Sequence, residues 1–270
     1  MEENNQSIIP QEDLDFLDSV LEEQHKEIPE NSKTLLLNET TSRFSGAIWH
    51  DKIKEKIISL AGLGGIGSWL ALLLARMQVS HIRLYDFDFV EEVNMAGQLY
   101  CMSDIRRRKT EAIRNTIQSY AKYYNYTSFN SGFTTSSNAS DIMICGFDNM
   151  VARKLYFHTW KNHLSTHPEP SKCLFIDGRL NAEEFQVLSI KGDDLEAIEK
   201  YEKDWLFDDR EVEEAVCSYK QTTFMSNMIA SVMANVFVNF VANECEPIYP
   251  RDVPFFISYS ADTMFTKTIL

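Results

Sequence analysis

The spacing of apolar residues changes near residue 56, from helical periods to short apolar runs that alternate with helices. Residues 11–28 place three leucines at helical spacing among acidic residues, which predicts an amphipathic helix that ends before Pro29. A second helical stretch is predicted from Phe44 to Lys54. Helical elements therefore precede the regular part of the sequence.

The regular part opens with a strand, a glycine turn and a helix. Residues 57–61 (IISLA) predict a buried strand, and residues 62–67 (GLGGIG) a tight turn. Residues 68–78 are apolar nearly all round, which predicts a buried helix, and residues 81–86 predict the second strand. The unit is a strand–helix–strand crossover.

The same alternation continues to about residue 245. Further strands are predicted near 126–130, 141–146, 172–177 and 185–190, and helices at 104–123 (with Asp104 as N-cap), at 149–164 and from about 222. Alternating strands and helices indicate a parallel sheet covered on both faces. The expected fold is α/β, a Rossmann-like doubly wound, mostly parallel sheet with flanking helices and an N-terminal helical extension. The expected segments are an acidic helical extension (1–40), the main domain (41–245) with a mobile acidic loop (192–221), and an extended C-terminal segment (246–270).

Composition narrows the classes of function. The 270 residues are 44% hydrophobic and 24% charged, as in an ordinary globular protein. A formal charge of −14 makes nucleic acid an unlikely partner, because the surface repels phosphates. Five cysteines without a C-x-x-C pair disfavour a disulfide framework and a structural zinc site. Cys101, Cys145 and Cys173 are expected to be packing residues.

Targeting signals are not apparent in the sequence. The acidic first residues lack the basic and then apolar pattern of a signal peptide. The most apolar window, Met225 to Ala242, contains three asparagines, so we interpret it as a buried helix rather than a membrane span. We expect a cytoplasmic protein with no membrane partner.

The glycine turn and the carboxylate after the second strand indicate nucleotide binding. Glycines allow the backbone to approach a phosphate at a helix N-terminus. Asp86 lies 19 residues beyond Gly67, counted as 86 − 67, where a carboxylate can accept the ribose hydroxyls. A glycine packing turn with a capping Asp is the alternative. A nicotinamide-dependent oxidoreductase is the default enzyme class for this fingerprint.

The blocks that follow favour a different class. Residues 86–90 (DFDFV) precede Asn94, Gln98, Asp104 and Lys109, and residues 145–149 (CGFDN) precede Arg153. In this order, after the glycine turn, the blocks resemble the ThiF/MoeB/ubiquitin-activating-enzyme superfamily, from about Arg43 to Ile190 and more loosely to Val241. The resemblance implies ATP-dependent adenylation of a carboxylate, with Mg²⁺ as cofactor.

The resemblance also implies roles for individual residues. The nucleotide would be bound by Gly62, Gly64, Gly65, Gly67, Asp86, Asp88, Asn94, Gln98, Lys109 and Asn149. Asp148 would bind the magnesium ion, and Arg43 would cross a dimer interface to the partner's ATP. For each, a structural alternative stays open: Asp148 as a helix N-cap, Lys109 as a solvated charge, Arg43 as a surface residue, and Arg153 as a structural ion-pair partner.

Two departures from the family pattern stand out. Gly97 replaces the family's arginine before Gln98, and we hypothesise that Arg43 or one of Arg106 to Arg108, in the first turn of the predicted helix, supplies the missing cation. Cys217, before the last predicted helix, is the candidate nucleophile for a thioester, with a buried structural cysteine as the alternative.

The resemblance implies a substrate class and an oligomeric state. The leading interpretation is an adenylyltransferase that activates the C-terminal carboxylate of a small ubiquitin-like protein, as a homodimer, without zinc. The alternatives are adenylation of a peptide carboxylate, a non-catalytic partner subunit, and the oxidoreductase.

Overall fold

A computed structural model describes residues 41–207 and 221–270 of the chain. Three predicted features lie outside these residues: the acidic extension (1–40), residues 208–220 of the acidic loop, and Cys217 within that loop. The predictions made for them stay predictions.

The described residues contain eight strands and six α-helices. The strands are β1 (Ile57–Ala61), β2 (His81–Tyr85), β3 (Tyr126–Phe129), β4 (Ile142–Cys145), β5 (Leu174–Asn181), β6 (Glu184–Lys191), β7 (Phe256–Ser260) and β8 (Phe265–Ile269). The helices are α1 (His50–Ile53), α2 (Gly65–Arg76), α3 (Lys109–Ala121), α4 (Met150–Leu164), α5 (Leu195–Asp204) and α6 (Thr223–Cys245).

All eight strands form one sheet in the order β3-β2-β1-β4-β5-β6-β7-β8. Pairs from β3 through β5 are parallel, whereas β5–β6, β6–β7 and β7–β8 are antiparallel. The predicted α/β fold with a mostly parallel sheet is confirmed. Strand order reverses between β1 and β4, so ligands of such a sheet bind at the carboxyl ends of these strands.

Two hydrophobic cores cover the two faces of the sheet. Neighbouring strand residues alternate between them: Leu60 and Ile144 pack with α2, α3 and α6, whereas Ala61 and Cys145 pack with α4 and α5. This alternation follows from the two-residue period of a strand. By length and composition α6 could cross a membrane, with a mean hydropathy of 1.5, but its Met233 and Phe237 are buried in the first core.

Several predicted boundaries are wrong. The helix predicted at 104–123 begins at Lys109, and Asp104 instead belongs to a 3₁₀ turn (Met102–Asp104), where its Oδ2 accepts the Cys101 backbone N–H at 3.0 Å. The three arginines therefore precede the helix: Arg106 has a left-handed φ of 69°, and Arg108 is the N-cap.

The other corrections concern extended segments and one cysteine. The stretch predicted as a helix at 44–54 is mostly turns, with only His50–Ile53 helical. Asp177 lies inside β5 rather than at its end, because β5 continues to Asn181 to pair with β6. Cys101 is exposed, unlike the buried Cys145 and Cys173.

Candidate functional site

Three of the four glycines of the turn differ in what surrounds them. Gly62 has a φ of +82°, which favours glycine, at the sharp turn after β1. A Cβ at Gly67 would stand 1.9 Å from the backbone oxygen of Gly62, so only glycine allows α2 to pack this closely. A Cβ at Gly64, by contrast, would have no atom within 4 Å. The backbone at Gly64 is therefore open to a ligand, as in a dinucleotide-binding turn.

Asp86 connects β2 to this turn. Its Oδ2 accepts the Leu63 N–H at 2.7 Å, and its Oδ1 accepts the Asp88 N–H at 2.8 Å. The side chain is buried, and burial raises the pKa of the Asp86 carboxyl, against the opposing effects of Lys109 and of these two hydrogen bonds. The predicted ribose-binding carboxylate thus lies beside the glycine turn. Its oxygens retain lone pairs for further donors.

Lys109 begins α3 and is paired within the site. Its Nζ lies 2.9 Å from Asp88 Oδ2, and the lysine is buried, whereas the Asp88 side chain is 48% exposed. The alternative of a solvated helix charge is wrong, because α3 begins against the segment that follows β2. The contact of Lys109 with a phosphate stays a prediction.

The segment after β2 continues towards α2. Asn94 lies in a 3₁₀ helix (Glu92–Ala96), and its Oδ1 accepts the Glu91 N–H at 2.8 Å. Gly97 and Gln98 are buried, and the Gly97 carbonyl accepts the indole N–H of Trp69 at 3.1 Å. Asn94 thus stabilises its own turn, while Gln98 follows Gly97 against α2.

Asp148 is exposed at the carboxyl end of β4, the strand next to β1. The N-cap of α4 is Asn149, whose Oδ1 accepts the Ala152 N–H at 2.8 Å, so the alternative of Asp148 as the N-cap is wrong. Asn149 Nδ2 also donates to Asp148 Oδ1 at 3.2 Å. Asp148 therefore keeps most of its acceptor capacity for a cation, beside the Gly146 backbone that bonds Ala61.

Arg153 binds the backbone directly before Asp148 from the buried side of the sheet edge. Its buried guanidinium pairs with Asp177 and donates to the Phe147 and Gly178 carbonyls. Asp177 also accepts Arg179 Nε at 2.8 Å and the Tyr201 hydroxyl at 2.9 Å. Of the two roles left open for Arg153, the structure favours the ion-pair partner.

Three buried polar atoms near the turn have no hydrogen-bond partner among the described residues. They belong to Gln98, which was predicted, and to two residues that the sequence did not suggest: Gln98 Oε1, Thr222 Oγ1 and Ser226 Oγ. Ser226 Oγ would lie 3.0 Å from a Cβ at Gly65, and Gln221 Oε1 would lie 2.1 Å from it. Buried polar groups are normally paired, so these atoms are available to a polar ligand. Residues 221–226 follow residue 97 by more than a hundred positions, and no local motif marks them.

Two predicted residues are not brought into this group. Arg43 is exposed in the turns before α1, and its role across a dimer interface stays a prediction. Cys217 lies outside the described residues. The remaining predicted residues lie on the glycine turn, after β2 or after β4, along one edge of the sheet.

Part of the chain is similar in sequence to known proteins. Ubiquitin-like modifier-activating enzyme 5 of Caenorhabditis elegans is 35% identical over 68 residues, which are 25% of this chain and 16% of the relative. The Culex quinquefasciatus protein of the same name is 28% identical over 121 residues, 38% of this chain and 30% of the relative. The chain thus matches less than a third of these relatives.

Solved structures share the fold. The crystal structure of PaaA has a TM-score of 0.64 at 18% identity, covering 97% of this chain and 83% of PaaA. E. coli MccB with ATP has a TM-score of 0.62 at 17% identity, covering 97% of this chain and 79% of MccB. The sequence profile of the ThiF family matches residues 37–268. The resemblance inferred from the motifs is therefore confirmed, and this chain belongs to the ThiF family.

Proposed function

We propose that this chain uses ATP to adenylate the C-terminal carboxylate of a small ubiquitin-like protein. The observation that supports it is the grouping of an open glycine turn, a buried carboxylate bonded to that turn and an exposed carboxylate on the neighbouring strand. The relatives named ubiquitin-like modifier-activating enzyme 5 support the substrate class. A peptide carboxylate is the second substrate candidate, because MccB has been crystallised with both ATP and MccA.

The reaction needs positioning and charge rather than covalent help from the protein. A carboxylate oxygen of the substrate attacks the α-phosphorus of ATP, the bond from that phosphorus to the bridging oxygen breaks, and pyrophosphate leaves with the electron pair. Asp86 would accept the ribose hydroxyls, and the backbone at Gly64 and Gly65 would face the phosphates at the N-terminus of α2.

The unpartnered oxygens fit such a polar ligand. Gln98 Oε1, Thr222 Oγ1 and Ser226 Oγ are buried beside the turn and have no hydrogen-bond partner in the part of the chain that the structure describes. The two hydroxyls can turn to donate to phosphate oxygens. Asp148 would hold Mg²⁺, which neutralises phosphate charge when bound. Lys109 must exchange its bond with Asp88 for one with a phosphate.

Three finer features belong to the same proposal. Cys217 would attack the acyl carbon of the adenylate through its thiolate, forming a thioester as AMP leaves. Arg43 would reach the ATP of a second copy, so the active unit would be a homodimer. The protein would act in the cytoplasm, with no membrane or nucleic-acid partner and with no C-x-x-C zinc site.

A non-catalytic partner subunit is the second candidate function. A Cβ at Gly97 would stand 2.9 Å from Gln221 Cγ, so a neutral amide lies where the family has an arginine. A missing phosphate-facing cation favours this candidate. The buried Asp86 and the exposed Asp148 together argue against it, because a subunit without catalysis needs no magnesium carboxylate.

The test is to measure the binding of Mg-ATP to the purified protein by the shift in its thermal unfolding temperature. ATP at about a hundredfold its dissociation constant should stabilise the wild type by about 2.7 kcal/mol. Gly64→Ala, with free space for its Cβ, should keep the unliganded stability and lose this stabilisation. Asp148→Ala and EDTA should reduce it. Asp193→Ala, another exposed aspartate at the opposite sheet edge, is the control and should keep it.

The outcomes separate the candidate functions. A Gly64→Ala variant that binds Mg-ATP like the wild type contradicts the proposed phosphate site. Stabilisation by NAD alone would indicate the oxidoreductase, and no stabilisation by either nucleotide would indicate the non-catalytic subunit. Given binding, Cys217→Ser should keep adenylation, measured as ATP–pyrophosphate exchange with a ubiquitin-like substrate, and lose the thioester.

A further inference from the structure

Four side chains with metal-ligand atoms meet at the sheet edge opposite the glycine turn. They are Asp141, His163, His167 and Cys173, and their ligand atoms all lie within 4.8 Å of one another. Zinc was not expected from the sequence, because the chain has no C-x-x-C pair. These four residues instead follow the pattern H-x₃-H-x₅-C with a distant aspartate.

The fold brings these residues together from three places. Asp141 directly precedes β4 and Cys173 directly precedes β5, and the two strands are parallel neighbours. The Leu174 N–H bonds the Asp141 carbonyl at 2.9 Å, which fixes the two strand starts side by side. His163 lies in the last turn of α4, and His167 follows that helix by three residues.

The present contacts already converge on one carboxylate. The Nε2 atoms of His163 and His167 lie 2.9 Å and 3.3 Å from Asp141 Oδ1. The centroids of the two imidazoles are 5.1 Å apart. Cys173 is fully buried beside them. Two rings aimed at a single oxygen, with a thiol adjacent, form a compact group of four mixed ligands.

We propose that Asp141, His163, His167 and Cys173 bind a Zn²⁺ ion. One thiolate, two imidazoles and one carboxylate are a ligand set for zinc rather than for magnesium or calcium, which prefer oxygen. One thiolate and one carboxylate also balance the charge of a divalent cation. A tetrahedral site with bonds of about 2.0–2.3 Å needs ligand atoms about 3.3–3.8 Å apart, so the widest pair must approach by about 1 Å.

Binding changes the protons of the site in a defined way. A Zn–S bond replaces the S–H bond of Cys173, and this proton leaves to solvent. His167 Nδ1 now accepts the Glu169 N–H at 3.1 Å. Ligation through Nε2 requires the ring proton on Nδ1, so the Glu169 amide must turn away from the ring.

The site would join the end of α4 to the starts of β4 and β5. Asp141 and His163 also line a cavity of about 350 Å³, which gives the ion a route from solvent. The glycine turn follows β1 and lies at the opposite, carboxyl edge of the sheet. Zinc would therefore stabilise the fold without contacting the nucleotide, and the two proposals can fail separately.

The test uses the full chain after treatment with a chelator, with Co²⁺ as a spectroscopic probe. The wild type should bind one Co²⁺ with the visible bands of a tetrahedral ion and a thiolate-to-cobalt charge-transfer band. Cys173→Ser should lose the charge-transfer band. Two matched controls should keep both features: Cys101→Ser, an exposed cysteine, and His158→Gln, an exposed histidine of α4.

A second variant guards against misfolding at the buried cysteine. His163, at 28% side-chain exposure, can be changed to Gln, which should weaken Zn²⁺ binding by more than the about 10–100-fold typical of an outer-shell partner. Its Mg-ATP stabilisation should equal that of the zinc-free wild type. The proposal is overturned if the wild type binds no Co²⁺, if the ion is octahedral, or if Cys173→Ser keeps the charge-transfer band.

Discussion

Replacing Asp177 by Asn would remove a charge from the buried network beneath the candidate functional site. Asp177 is fully buried and accepts hydrogen bonds from Arg153, Arg179 and Tyr201. Asn has the same shape, so the change leaves the packing almost intact and deletes the negative charge. Arg179 retains a bond to the Trp205 carbonyl at 2.7 Å, but the Arg153 guanidinium stays buried without its counter-ion.

The expected cost follows from the buried charge. Breaking a buried ion pair from one side costs about 3–5 kcal/mol, against total stabilities of about 5–15 kcal/mol. At about 2–4 °C per kcal/mol for a protein of this size, Asp177→Asn should lower Tm by about 6–20 °C. Circular dichroism during urea and thermal unfolding measures both quantities.

Two further variants decide whether the reasoning is right. Asp148→Asn, an exposed aspartate that follows the neighbouring strand β4, should change stability by less than about 0.5 kcal/mol. The double variant Arg153→Met, Asp177→Asn should recover part of the loss, because no buried guanidinium is then left without a counter-ion, while the amide oxygen at 177 still accepts from Arg179 and Tyr201. A loss below about 1 kcal/mol in Asp177→Asn would refute the proposed importance of the pair. Since Arg153 also donates to the Phe147 carbonyl, Asp177→Asn should weaken Mg-ATP binding as well.

Three other outcomes are expected. Gly67→Ala should destabilise the fold by at least about 1–3 kcal/mol because its Cβ meets the Gly62 carbonyl, whereas Gly64→Ala should not; equal unfolding curves for both would contradict this. Since burial raises the pKa of Asp86, protonation should weaken Mg-ATP binding as the pH falls through that raised value, above the ordinary 3.8, and Asp86→Asn should remove this pH dependence in calorimetric titrations. The triple variant in which Arg106, Arg107 and Arg108 are all replaced by Ala should bind ATP more weakly if one of these arginines supplies the missing cation. Full ATP affinity and turnover in this variant would discard that hypothesis.

Residues that share a strand end were predictable from the sequence. The apolar run at 57–61, the glycine turn and Asp86 define a crossover unit, and the topology of parallel strands puts their carboxyl ends at one edge. Local sequence patterns predicted the starts of helices less accurately. Asp104 is a good N-cap residue, but its side chain caps the preceding 3₁₀ turn, which spacing alone does not distinguish from a helix start. The segment 246–270 was predicted as extended, but the pairing of β7 with β8 was not, because the exposed β8 has no apolar run.

The sequence alone does not reveal contacts between residues that are far apart in the chain. Asp141 and Cys173 are 32 positions apart, counted as 173 − 141, and become adjacent only through β4–β5 pairing. Asp177 and Arg153 likewise meet through the packing of α4 on the sheet. Motif spacing detects ligands on one element or one turn, and tertiary pairing is needed for the rest.

Gly97, where the family has an arginine, shows why contacts between distant residues matter for the proposed phosphate site. From the sequence, Gly97 is a missing cation, and the nearby arginines are the obvious replacements. In the structure, Arg108 lies 4.6 Å from the Phe89 ring centre and donates to the Phe87 carbonyl at 3.2 Å, so it is held beside the Asp88 segment. The space at Gly97 is taken by the side chain of Gln221, which is uncharged. Any larger residue at 97 requires Gln221 to move, so the two positions are coupled. If the chain binds ATP as proposed, the cation for the phosphates comes from a residue other than 97. The candidates are Lys109 after its release from Asp88, Arg106 or Arg107, and Arg43 of a second copy.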